Sequence, residues 1–75
     1  MRQNPTMRDR FQRALDKIDR RLENPAYSDY EKKALWENRN SLFEQKAETD
    51  EERLAQFDEL DWCLRNIDRS MRQRR

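Results

Sequence analysis

The side chains of this chain that could do chemistry are two runs of carboxylates, one thiol, two arginine-rich ends and a tryptophan on a polar helix face. The carboxylates are Asp50-Glu51-Glu52 and Asp58-Glu59-Leu60-Asp61. Paired acids can exchange protons or gather oxygens round a hard cation, but both tasks need a pocket that shifts a pKa or closes over the ion. A chain of 75 residues has little room for the ~300 Å³ at which ligand pockets begin. Histidine is absent, and with it the commonest metal ligand and general base. Cys63 has no second thiolate with which to hold zinc, and without glycine there is no phosphate-cradling loop. The sequence therefore points away from an enzyme and calls for no metal and no cofactor. The acids read as solvated faces and as complements to helix dipoles.

Cys63 falls on the flank of an apolar stripe and reads as a small buried filler. A lone thiol closes no internal disulfide, so a reducing, cytoplasmic setting is expected. No apolar run approaches the roughly 18 residues of a membrane span, and no signal-peptide pattern is seen.

Trp62 is the most pointed residue. It lies about 170° from the centre of its helix's apolar stripe, ringed by Asp58, Glu59, Arg65, Asn66 and Arg69. Such a tryptophan reads as an interface anchor, for a partner protein or a second copy of the chain, with Arg65 and Arg69 beside it. Trp36 and Phe43 form a second candidate patch, unless they belong to the core. Arginine outnumbers lysine thirteen to four. It concentrates near the start (Arg2, Arg8, Arg10, Arg13) and at the end, where Arg72, Arg74 and Arg75 could touch nucleic acid. Acids interleave with these bases and the net charge is only +1, so no single positive face is expected. In an up-down-up bundle the two arginine clusters are expected at opposite ends.

Three helix-start signals set the elements that must carry these residues. They are Thr6-Met7-Arg8-Asp9, Ser28-Asp29-Tyr30-Glu31 and Thr49-Asp50-Glu51-Glu52. In each, a hydroxyl can accept from a free amide of the first turn, and a carboxylate three residues on can return the bond. The last two match the reciprocal capping box in full; the first has Asp for Glu and is weaker. The predicted helices span about 7–23, 29–47 and 50–72, with short basic tails at 1–5 and 73–75.

The first helix carries Met7, Phe11, Ala14, Leu15, Ile18 and Leu22 as one stripe, with Asp9–Arg13 and Asp16–Arg20 as pairs four apart. Asn24-Pro25 ends it: Asn tolerates left-handed backbone, and Pro disfavours helix in the residue before it. The second helix has more apolar surface than one neighbour can cover. Leu35 and Leu42 lie on one line, Trp36 and Phe43 on another about 100° round, and Tyr30 and Ala34 flank them. The third carries Leu54, Phe57, Leu60, Leu64, Ile67 and Met71.

The fold class expected is all-α: one domain over 1–75, an up-down-up three-helix bundle or a helical hairpin, self-associating because so short a chain has a marginal core. A dimer is the favoured assembly. The alternative fuses the last two helices into one rod, since Trp36, Phe43, Asp50, Phe57, Leu64 and Met71 recur every seven residues and could seam a coiled-coil dimer. Functionally, the sequence leads to a protein-interaction module, a small adaptor or inhibitor that docks a helix face on a partner. A nucleic-acid-associated regulator using its arginine-rich ends is the second reading.

Overall fold

The computed structural model describes residues 6–73. They form three helices, α1 (Met7–Glu23), α2 (Asp29–Glu44) and α3 (Asp50–Gln73), with no strand among the described residues. All three hydroxyl caps form. Thr6 Oγ1 accepts the Asp9 amide at 3.1 Å while Asp9 takes the Thr6 amide, so the box expected to be weaker closes in full. Ser28 and Glu31 exchange the same pair of bonds. The third box is the incomplete one. Thr49 Oγ1 accepts from the Glu52 amide, but the Glu52 carboxylate reaches past Thr49 to the amide of Glu48. Asp9, engaged at its cap, and Asp16, which accepts from Gln12 at 3.1 Å, take local partners other than the arginines four residues on.

Helix ends without glycine are made by extended backbone. Asn24 sits at φ −82°, ψ 120°, the conformation that Pro25 imposes on its predecessor, and not in the left-handed region. No described residue has positive φ. The Asn24 side chain then accepts from the Ala26 amide and its carbonyl from the Tyr27 amide, which folds 24–27 into a tight turn. α2 stops at Glu44, three residues earlier than its spacing predicts. A helix reaching Ala47 would leave Glu48 alone to reverse the chain before the Thr49 cap. Residues 45–49 make that turn instead, within the usual length for antiparallel neighbours.

That turn excludes the fused rod. Leu35, buried completely, and Leu42 face the core, while Trp36 and Phe43, the first members of the sevenfold series, are half exposed. The bundle is up-down-up. Phe11 meets Phe43, Asp19 meets Arg39 and Glu31 meets Ser70, so α2 runs antiparallel to both neighbours. Lys17 meets Asp61 and Arg21 meets Asp68, so α1 and α3 run parallel. Lys17–Asp61 joins the middle of the two helices and Arg21–Asp68 joins the last turn of α1 to the later half of α3.

The core closes within one chain. Ala14, Leu15 and Ile18 of α1, Leu35 and Leu42 of α2, and Leu60, Leu64 and Ile67 of α3 are buried, with Phe11, Leu22, Phe57 and Met71 packed on its edges. Two members lie outside the apolar stripes. Tyr27, from the α1–α2 turn, is buried. Glu31 is 2 % exposed, its carboxylate shared between the Ser28 amide and the Ser70 hydroxyl. A buried acid is tolerable when bonded in this way, and here it ties the start of α2 to the end of α3.

Candidate functional site

The side of α2 that faces α1 carries an open aromatic surface. Trp36 is 50 % and Phe43 56 % exposed. Both lie about 80–100° round the helix from Leu35, one turn on either side of Arg39. The Arg39 guanidinium is 5.5 Å from the Trp36 ring centre and 5.4 Å from that of Phe43, and its Nε donates to Asp19 of α1 at 3.2 Å. One charged head thus lies against two rings, an arrangement that holds them at fixed orientation. The surface continues across α1. Phe43 meets Phe11 edge-on at 5.4 Å, Phe11 leans on Phe57 at 6.4 Å, and Arg53 of α3 covers Phe11 at 5.4 Å. Beside them a shallow hollow of about 340 Å³ opens between Met7, Arg8, Phe11 and Arg53. Core packing therefore does not consume Trp36 and Phe43. The two lines of α2 divide the work, one inside and one outside.

Trp62 lies 65 % exposed on the outer side of α3, with Arg65 and Arg69 exposed next to it. The structure brings Trp36 and Phe43 together and keeps Trp62, Arg65 and Arg69 together. It does not join the two groups, which sit on different helices and face different ways. Tyr30, at 80 % exposure, belongs to neither.

The two arginine clusters lie toward opposite ends, as expected, but on one side of the bundle. Because α1 and α3 are adjacent and parallel, Arg10, Arg13, Lys17 and Arg21 run along one wall of the groove between them. Arg65, Arg69 and Arg72 run along the other. Two concavities of about 250 Å³ each lie between α1 and α3 and share Lys17 and Asp61, and a third of about 280 Å³, lined by α3 alone, continues from Arg65 past Asp68 to Arg69 and Arg72. Seven cationic side chains line it against Asp58, Asp61 and Asp68. Elsewhere the described residues hold thirteen acids and seven bases. The near-zero net charge thus conceals a segregated one, with one basic groove on an otherwise acidic surface. Arg2, Arg74 and Arg75 lie outside the described residues.

Within the groove one cluster is structural. Arg21 grips Asp68 with two parallel bonds, Nε–Oδ1 at 2.9 Å and Nη2–Oδ2 at 2.8 Å. The buried Tyr27 hydroxyl donates to the same Oδ1, and Arg21 Nη1 caps the Lys17 carbonyl at 2.9 Å. The Arg21 hydrogen bond, opposed by burial and aided by Tyr27, holds the Asp68 carboxyl below its ordinary 3.8. Burial, followed by the bond to Asp68, raises the Tyr27 phenol above its ordinary 10.0. No periodicity marks Tyr27, which sits between a proline and a cap. A tyrosine next to a helix start is the only signal it gives.

The candidates for other chemistry are dispersed. Asp50, Glu51 and Glu52 are exposed in the first turn of α3, while Asp58 and Asp61 line the groove. Among the described residues no His, Cys, Asp and Glu side chains gather in a group able to hold a metal ion, and no helix is long and apolar enough to cross a membrane. Cys63 is partly buried, and burial, with the charge of Glu59, pushes its thiol up. A thiolate is the reactive species, so iodoacetamide at pH 8 should alkylate Cys63 at least several-fold more slowly in the folded protein than in urea. Equal rates would show the thiol to be open.

Compared with known proteins, the chain matches no family model, no curated protein and no solved structure.

Proposed function

We propose that the protein is a non-enzymatic interaction module, an adaptor or inhibitor that docks the Trp36–Phe43 side of α2 on another protein. The observation that carries this reading is the open pair of rings round Arg39. Two large aromatics stand half exposed on a helix whose other line already fills the core, tied to α1 through the Phe43–Phe11 contact. Tryptophan, phenylalanine and arginine in one cluster are the side chains from which interface anchors are made. The neighbouring hollow at Phe11 gives a partner's apolar side chain somewhere to enter. A second copy of the chain is the other occupant this surface could accept.

The test uses the tagged full chain as bait, with Trp36→Ala, Phe43→Ala and Trp62→Ala variants, and light-scattering mass in parallel. A protein retained by the wild type and by Trp62→Ala, but at least tenfold depleted with either α2 variant, supports a foreign partner. A dimer mass that falls to monomer with those variants assigns the surface to self-association instead. If neither change alters any association or the mass, the reading fails.

A further inference from the structure

The groove between α1 and α3 is independent of the aromatic side of α2 and calls for a different ligand. Two of its three aspartates are already matched, Asp61 by Lys17 at 3.1 Å and Asp68 by Arg21. Arg10, Arg13, Arg65 and Arg69 make no ion pair within the described residues, and Arg72 contributes only to the field at Asp68. Five guanidinium groups thus face solvent along two parallel helices, with Asp58 the one acid not countered. From Asp58 to Arg72 the basic track runs about 21 Å along α3 at 1.5 Å per residue. A phosphodiester strand places a charge every ~3.4 Å, so about six phosphates span it. Every unpaired cation is an arginine, whose fork fits phosphate oxygens. Trp62, on the outer side of α3 and outside the groove's lining, stands one turn before Arg65 and two before Arg69, with its ring open. A cationic track edged by an exposed aromatic ring is how proteins hold unpaired bases, the backbone on the charges and a base on the ring.

We propose that the α1/α3 groove binds single-stranded nucleic acid, its phosphates along Arg10, Arg13, Arg65, Arg69 and Arg72 and one base stacked on Trp62. The module then has two working sides, a protein-docking side on α2 and a nucleic-acid track on α1 and α3.

The experiment is fluorescence anisotropy with a labelled oligothymidylate of about 12 nucleotides at several salt concentrations. Five phosphate contacts predict a log–log salt slope near −3.5 for a single strand, about a hundredfold loss of affinity between 50 and 200 mM salt. The Arg65→Gln/Arg69→Gln double variant should flatten the slope by about 1.4. Trp62→Ala should weaken binding roughly tenfold and leave the slope unchanged. Both variants alter exposed side chains, so helical circular dichroism should match the wild type. No binding at 50 mM salt overturns the proposal, as does an unchanged slope in the double variant. A duplex of equal length bound as tightly would also overturn it, and polyglutamate competing as well as the oligonucleotide would reassign the groove to acidic polypeptides. Trp36→Ala should bind the oligonucleotide like the wild type, which keeps this result separate from that of the protein-docking reading.

Discussion

Leu64→Ala should cost about 2–5 kcal/mol, measured as the loss of unfolding free energy in urea by circular dichroism. Leu64 is 2 % exposed at the middle of α3, in the core formed with Ile18 and Leu35. Truncating it removes apolar contact and leaves a cavity that three helices cannot readily close. A domain of this length holds roughly 4–11 kcal/mol in total, so the variant loses a large share of its stability. A loss below about 1 kcal/mol would mean that the helices meet through some other surface.

The second large effect belongs to Asp68. Replacing it with alanine strands the Arg21 guanidinium and the Tyr27 hydroxyl at a half-buried site. Leaving one buried charge unmatched is costly, but both partners keep some contact with water, which reduces the loss to about 2 kcal/mol. Tyr27→Phe removes a single bond and should cost about 1 kcal/mol. The cluster also fixes two pH limits. The folded carboxyl of Asp68 titrates below its unfolded value of 3.8. Its contribution is therefore present above 3.8 and lost as pH falls through the depressed folded value. The Tyr27 phenol titrates above its unfolded 10.0, so its contribution is complete below 10 and lost as pH rises through the raised folded value. Asp68→Asn should flatten the acid limb of the stability curve, and Tyr27→Phe the alkaline limb. Limbs unchanged in both variants would remove the cluster from the stability account.

Local signals were legible in the sequence and long-range ones were not. Thr6, Ser28 and Thr49 announce their helices because a cap is a matter of four consecutive residues. Pro25 marks a boundary for the same reason. The apolar stripe of α1 and the Leu60–Leu64–Ile67 stripe of α3 read correctly because a 3.6-residue period fixes which side chains share a face. The period does not say what covers a face. The two lines of α2, Leu35 with Leu42 and Trp36 with Phe43, were visible as an excess, yet only the packing of α1 and α3 decides which line is inside. Asp68 stands alone among the bases of residues 62–75. Its partner Arg21 is 47 residues away, and nothing local points to it. The arginines were half legible: Arg10 and Arg69 lie toward opposite ends of the bundle, as expected, but nothing local shows that they share one side of it. Parallel packing of α1 and α3 lays both along one groove, and the interleaved acids of α2 and of the start of α3 lie elsewhere.

The central claim is that α2 divides its apolar residues between a core line and a free line, and neighbouring residues test it most directly. Leu35 is fully buried and Trp36 is 50 % exposed. Urea unfolding of Leu35→Ala and Trp36→Ala, compared at low protein concentration, should show a loss of about 2–5 kcal/mol for the first and under about 1 kcal/mol for the second. Equal losses, or a larger one at Trp36, would place that ring inside a packed interior and leave α2 with no surface to offer a partner.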